Sequence, residues 1–113
     1  MARLKVDGNT SVYALAGKYI SFSPVPEFFN EISSFTGYNS MMFPVSTEQY
    51  GIEKSLEALK VINCRGALID TPHRCELNNC LTTVTEEAAE CGAVNIVRID
   101  EDGSIHGNNT EIS

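Results

Sequence analysis

Three side-chain amides and a carboxylate lie close together near the end of the sequence. Asn95 lies early in the apolar run that begins at Ala93, and Asn108, Asn109 and Glu111 follow a second short run. Because an amide is a hydrogen-bond donor and acceptor at once, such a group can recognise hydroxyl groups. The pattern therefore predicts a pocket for a polyol or a hydroxy acid.

Two serines lie two residues apart before a predicted helix. Ser21 and Ser23 precede Pro24, and a Ser-Pro pair is typical of a helix start. Both hydroxyls can point into one crevice beside free backbone N–H groups, which suits a carboxylate. The alternative is that Ser23 only caps the helix and Ser21 is a loop residue.

Alternating strands and helices are expected to position these side chains. Apolar runs predict buried strands at residues 11–17, 39–45 and 66–70, and helical spacing predicts helices from Ser23 to Gly37 and from Thr47 to Val61. This βαβ pattern implies right-handed crossovers. We therefore expect an α/β domain with three layers, α-β-α, around a mainly parallel twisted sheet in which residues 11–17 form the central strand.

A C-terminal antiparallel hairpin is expected to complete the sheet. Residues 93–107 consist of a β-branched run, an Asp102-Gly103 turn and a second short run. Ligands of parallel sheets bind beyond the carboxyl ends of the strands, where the loops that begin at Gly17 and Asp70 lie. The polar motifs are expected to meet there.

Apolar spacing and capping residues predict how the helices pack and begin. The first helix is expected to bury an apolar stripe made of Phe28, Phe29, Ile32 and Phe35. The expected N-cap residues are Ser23 for the first helix, Ser46 or Thr47 for the second, and Thr85 for a short third helix that ends at Cys91.

Composition indicates one globular domain of 113 residues whose first ten residues form a loose arm. The formal net charge is −7, so the basic face of a nucleic-acid-binding protein is not expected. No apolar run reads as a signal peptide or a membrane span, which favours the cytoplasm and reduced thiols. The cysteine and histidine spacing matches no common zinc pattern, so no metal site is predicted, and His106 receives no role.

Four motifs together resemble the shikimate dehydrogenase family. Gly92-Ala93-Val94-Asn95 is similar to the G-A-V-N strand of its substrate domain, and the Asn109-Thr110-Glu111 segment is similar to its N-T-D motif. Ser21-Phe22-Ser23-Pro24 resembles the S-x-S-P motif, and residues 66–74 resemble G-x-N-x-T-x-P-H-K. The matches keep their order over residues 12–111.

The resemblance implies an N-terminal substrate-binding domain, residues 1–113, of an NAD(P)-dependent oxidoreductase of the shikimate pathway, which supports aromatic amino acid biosynthesis. The implied substrate is a hydroxylated cyclohexane or cyclohexene carboxylate. The eight glycines form no G-x-G-x-x-G motif, so NADP or NAD is expected on a Rossmann domain outside this chain. The resemblance is also compatible with a homodimer of the full-length protein.

The family pattern assigns roles to individual residues and also reveals departures. Ser21 and Ser23 match the family serines that hold the substrate carboxylate, and Asn95 matches the asparagine that binds a ring hydroxyl. Against the motif, Leu68 replaces an asparagine and Asp70 replaces a threonine, so Asp70 brings a negative charge to the substrate site. Both members of the catalytic Lys/Asp dyad also change.

Arg74 replaces the lysine of the dyad and Glu111 replaces the aspartate. An arginine cannot act as a general base, although it can hold a carboxylate or polarise a carbonyl. The proton acceptor is therefore expected to be Glu111. Two hypotheses remain: an oxidoreductase that is inactive as this isolated domain, and a non-catalytic binding or regulatory module. A simpler alternative for Asp70 and Arg74 is an ion pair that stabilises the turn.

Overall fold

The computed structural model describes residues 6–70, 73–75, 77 and 79–110. Within them the chain forms six strands, three α-helices and one turn of 3-10 helix. In chain order these are β1 (Ser11–Gly17), α1 (Val25–Thr36), β2 (Ser40–Ser46), α2 (Gly51–Val61), β3 (Gly66–Ile69), the 3-10 turn (His73–Cys75), β4 (Thr83–Val84), α3 (Glu86–Cys91), β5 (Ile96–Ile99) and β6 (Ile105–Asn108).

The strands form one mixed sheet in the order β2-β1-β3-β5-β6-β4. Strand β1 is parallel to β2 and β3, β5 is antiparallel to β3 and β6, and β4 is parallel to β6. The mainly parallel sheet with a C-terminal antiparallel hairpin is thus confirmed. Strand β1 is interior but lies next to the edge strand β2, so its predicted central place is wrong.

Side chains alternate between two apolar layers on opposite faces of the sheet. Ala14 and Ala16 of β1 belong to the larger core with α2 and α3, whereas Leu15 belongs to the smaller core beside α1. The same alternation places Ile69 in the larger core and Leu68 against the smaller one. The three layers follow from this alternation.

Helix α1 packs through a face that its apolar pattern does not predict. Phe28, Ile32 and Phe35 are 64%, 48% and 90% exposed, and from the expected stripe only Phe29 packs on the core. The Asn30 side chain instead donates to Met42 O at 3.0 Å and accepts from Met42 N at 2.7 Å. The edge strand β2 has backbone groups that need partners, and the Asn30 amide supplies both.

Two of the three predicted helix starts also differ from the structure. Pro24 occupies the N-cap of α1, and the Ser23 hydroxyl accepts a 3.3 Å hydrogen bond from Val25 N. Tyr50 occupies the N-cap of α2, so neither Ser46 nor Thr47 caps that helix.

The short third helix follows its sequence pattern. Thr85 is the N-cap of α3, where its hydroxyl accepts from Ala88 N at 3.3 Å. Gly92 ends the helix with a left-handed φ of 70°, a conformation that glycine adopts at little cost. The expected helix start at Thr85 is therefore confirmed.

The hairpin forms as predicted, and a short strand that the sequence did not reveal joins its edge. Asp100 N donates to Ser104 O at 3.0 Å across the turn, and Ile99 pairs with Ile105. Strand β4 has only Thr83 and Val84, which is too short for a periodic signal. No helix among the described residues is long and apolar enough to cross a membrane.

Candidate active site at the carboxyl edge of the sheet

The predicted site residues that the structure describes belong to loops at one edge of the sheet. The loops after β1, β2, β3 and β6 leave the carboxyl ends of strands that run the same way, and the antiparallel β5 begins at that same edge. These loops and the residues just before β5 carry Ser21, Ser23, Thr47, Asp70, His73, Arg74, Asn95, Asn109 and Thr110. Glu111 lies outside the described residues, as do Thr71 and Pro72.

Asp70 lies against the loop that carries the serines. Its backbone N–H donates to Ala16 O at 2.9 Å, and a Cβ added to Gly17 would lie 2.8 Å from Asp70 Cβ and 2.6 Å from Ile20 Cγ2. Only glycine permits this close approach between the two loops. Ser23 N donates to Ile20 O at 3.0 Å, so a tight turn displays the exposed Ser21 beside this contact.

Arg74 is the only described cation among the predicted site residues. Its Nε donates to Ile69 O at 2.9 Å, and its backbone carbonyl accepts from Val94 N at 2.8 Å. These bonds link the 3-10 turn to the end of β3 and to the segment before β5. The guanidinium also carries four Nη–H donors, which suits a planar carboxylate.

Asn95 makes a reciprocal pair with Thr110. The Asn95 side chain is 5% exposed, accepts from Thr110 N at 3.0 Å and donates from Nδ2 to Thr110 Oγ1 at 3.0 Å. An amide nitrogen carries two hydrogens, so one Nδ2–H remains without a partner among the described residues. The predicted hydroxyl ligand therefore also fixes the segment that leads to Glu111.

The other two amides of the predicted cluster make hydrogen bonds to neighbouring elements of the fold. Asn108 Oδ1 accepts from Thr85 Oγ1 at 2.8 Å and from Asn109 N at 2.7 Å. Asn109 Nδ2 donates to Ala93 O at 3.2 Å. These contacts join the end of β6 to the start of α3 and to the segment before β5.

A buried polar pair at this edge was missed by the sequence analysis. Thr47 Oγ1 lies 2.5 Å from His73 Nε2, and both residues are almost fully buried. The two residues are 26 positions apart, so no local pattern relates them. Their proximity can be inferred only when the order of the strands in the sheet is known.

His106, which received no role, belongs to the opposite end of the hairpin. Its Nε2 lies 2.9 Å from Asp100 Oδ2, and its Nδ1 lies 2.6 Å from Thr83 Oγ1. The Arg98 guanidinium donates to Asp100 at 3.0 Å. This hydrogen bond is the main reason why the pKa of Asp100 is lowered. The network stabilises the turn away from the candidate site.

The described thiols and acidic groups do not assemble a metal site. No group of three His, Cys, Asp or Glu side chains with suitable geometry occurs in the described part of the chain. Cys64, Cys80 and Cys91 are free thiols, and burial raises the pKa of Cys64 and of Cys80. A raised pKa disfavours the thiolate, so these two cysteines are poor nucleophiles.

A cavity lies on one face of the sheet. It measures about 710 Å³, opens beside α1 and has a floor that includes Leu68 and Ile96. Asn108 of the predicted amide cluster lines it, whereas Ser21, Ser23, Asp70, Arg74 and Asn95 do not. Leu68, which replaces an asparagine of the family motif, points to this face. Its side chain therefore does not reach the carboxyl edge, where the polar groups lie.

A model of the shikimate dehydrogenase substrate binding domain family matches residues 15–97. This chain belongs to that family. The NADP(+)-dependent shikimate dehydrogenase of Rubrobacter xylanophilus is 31% identical over 107 residues, which are 95% of this chain and 38% of the relative. The enzyme of Caldanaerobacter subterraneus is 32% identical over 111 residues, 96% of this chain and 39% of the relative.

Solved structures of shikimate dehydrogenases share the fold. The Aquifex aeolicus enzyme superposes with a TM-score of 0.80 at 28% identity, over 94% of this chain and 40% of that chain. The Listeria monocytogenes enzyme, solved with shikimate and NAD, superposes with a TM-score of 0.84 at 23% identity. The match covers 92% of this chain and 36% of that chain. The chain thus spans about two fifths of the length of these relatives.

Proposed function

We propose that this chain is the substrate-binding domain of an NAD(P)-dependent oxidoreductase that acts on a hydroxylated ring carboxylate of the shikimate and quinate type. The observation that carries the proposal is the gathering of a cation, two serines and an amide donor at one edge of the sheet. Family membership supports the substrate class, because the named relatives are shikimate dehydrogenases.

The proposed roles follow from the chemistry of each side chain. Ser21 and Ser23 hydroxyls and the Arg74 guanidinium bind the carboxylate by charge-assisted hydrogen bonds. The remaining Asn95 Nδ2–H donates to a ring hydroxyl, and Asp70 accepts a hydrogen bond from another. Asp70 therefore selects ligands that present a hydroxyl donor, because its charge repels a second carboxylate.

Oxidation of a ring hydroxyl requires a hydride acceptor and a proton acceptor. A nicotinamide bound outside this chain would take the hydride. A guanidinium group is a hydrogen-bond donor and not a proton acceptor, so the role of Arg74 is to hold the carboxylate. Glu111 is the proposed base, because Asn95 and Thr110 fix the segment that leads to it.

A non-catalytic binding module is the second candidate function. The replacement of a lysine by Arg74 favours it, because a lysine can lose its proton when buried and an arginine effectively cannot. Both candidates predict the same ligand class. They differ in turnover: the oxidoreductase turns the ligand over and needs the carboxylate of Glu111 to do so, whereas the binding module does not turn it over.

The ligand is tested by NMR titration of the chain with shikimate and with quinate. Saturable amide shifts confined to the carboxyl edge are expected. Arg74→Gln should weaken binding about 10-fold to 100-fold, because a hydrogen bond to a charged group contributes roughly 1.5–3 kcal/mol. The matched control is Arg65→Gln, since Arg65 is an exposed arginine at the opposite end of β3.

Equal affinity of the two variants would remove Arg74 from the ligand site. Absence of saturable shifts with either ring acid would contradict the proposed ligand class.

A further inference from the structure

Thr47 and His73 form a buried polar contact between two loops. Thr47 is 3% exposed and lies between β2 and α2, whereas His73 is 7% exposed and opens the 3-10 turn after β3. Burying a hydroxyl and an imidazole costs free energy unless they are hydrogen-bonded, and Oγ1 and Nε2 lie 2.5 Å apart. The contact therefore has one strongly preferred geometry.

Thr47 is a fixed anchor for this contact. Its backbone N–H donates to Gly17 O at 3.0 Å, and its carbonyl accepts from Gly51 N at 2.9 Å. These bonds connect it to the end of β1 and to the first residue of α2. These two bonds fix the main chain of Thr47, so the Thr47 hydroxyl meets the imidazole from a held backbone position.

The 3-10 turn transmits this anchoring to Arg74. His73 N donates to Asp70 O at 3.2 Å, and the next residue binds Ile69 O through its Nε and Val94 N through its carbonyl. These bonds help to hold the turn, and the imidazole contact adds a restraint from the loop after β2. We expect loss of the Thr47 contact to change the orientation of the imidazole and, through the turn, to shift the adjacent guanidinium.

We propose that Thr47 and His73 are a positioning pair that sets the direction of the Arg74 guanidinium at the carboxyl edge. The inference rests on the proposed function, in which Arg74 binds the anionic group of the substrate. Both members are buried, so they act through Arg74 and not by contact with the ligand. An arginine side chain is long and flexible, and the pair would preorganise it for the ligand.

The test compares Thr47→Val, which keeps the shape and removes the hydroxyl, with Thr47→Ser, which keeps the hydroxyl. The first readout needs no ligand: the ¹⁵N–¹H resonance of Arg74 Nε–H and its exchange with water. Thr47→Val should shift this resonance and speed its exchange about tenfold, whereas Thr47→Ser should resemble the wild type. The expected factor corresponds to the loss of one hydrogen bond.

The control is Ser55→Ala, which removes a hydroxyl that lies within α2. Ser55 is 9% exposed and donates to Gly51 O at 2.7 Å. This variant can lower stability but should leave the Arg74 Nε–H resonance unchanged. Equal Arg74 signals in folded Thr47→Val and in the wild type would overturn the proposal.

Two further measurements keep the inference separate from the proposed function. The ring ¹⁵N shifts of His73 in the wild type should report one tautomer with a hydrogen-bonded Nε2, and an average of two tautomers would overturn the pair even if Thr47→Val does not fold. For shikimate, Thr47→Val should raise the dissociation constant about 5-fold to 10-fold, and Thr47→Ser should restore it.

If the wild type binds no ring acid, the proposed function fails while the Arg74 and His73 signals still decide the pair. If the wild type binds and folded Thr47→Val binds equally tightly, the positioning proposal alone fails.

Discussion

Replacing Asn95 with alanine should destabilise the fold and loosen the site at once. The substitution removes the two 3.0 Å hydrogen bonds that join the Asn95 side chain to Thr110. Each bond contributes about 0.5–1.5 kcal/mol, so the expected loss is about 1–3 kcal/mol in the free energy of unfolding. Thr110 is exposed, so its freed N–H can bond to water, which keeps the loss within this range.

The assay is thermal denaturation followed by circular dichroism. A loss of this size should lower Tm by roughly 5–20 °C in a domain of this length. Gln49→Ala is the control, because it removes an exposed amide and should change Tm by much less.

A double-mutant cycle with Thr110→Val isolates the bond between the two side chains. Its coupling energy should be about 0.5–1.5 kcal/mol, because the backbone N–H of residue 110 remains in each variant. A Tm of Asn95→Ala equal to that of Gln49→Ala, together with zero coupling, would refute the view that Asn95 fixes the segment before Glu111.

Two further predictions concern the sheet and the reaction. In Gly66→Ala the new Cβ would lie 2.8 Å from the backbone oxygen of Val97. Urea denaturation should therefore show a loss of about 1–3 kcal/mol in the free energy of unfolding. Gly8→Ala is the control and should be near neutral, because its Cβ would have nothing within 4 Å. In the full-length protein, Glu111→Gln should abolish nicotinamide-dependent oxidation while ligand affinity persists, and Glu101→Gln should leave turnover intact. Equal unfolding energies of the two glycine variants would contradict the first prediction, and turnover without the Glu111 carboxylate would contradict the second.

Local sequence patterns predicted the elements whose signals lie within a few residues. The apolar run of β1 predicted a buried strand, and the Asp102-Gly103 turn predicted the hairpin. The capping pattern at Thr85 predicted the start of α3, because capping depends on one or two neighbouring backbone groups. The order of the polar motifs predicted the family.

Long-range contacts decided what local patterns could not. Helix α1 leaves Phe28 and Phe35 exposed because Asn30 pairs with the backbone of the edge strand, a partner that the helix pattern does not contain. Thr47 resembles a helix cap in sequence, yet its hydroxyl bonds to an imidazole 26 positions away. Capping and periodicity are properties of neighbouring residues, whereas burial depends on which strand lies beside which.

The sequence by itself therefore determined the strands other than β4, the hairpin and the polar residue types that suggest a polyol or hydroxy-acid ligand. Only the tertiary structure decided that Asp70 lies against Gly17, that Asn95 bonds to Thr110, and that the Thr47 hydroxyl meets the His73 imidazole. The physical reason is that strand order in the sheet brings loops distant in sequence to one edge, where each polar group must find a partner as water is excluded.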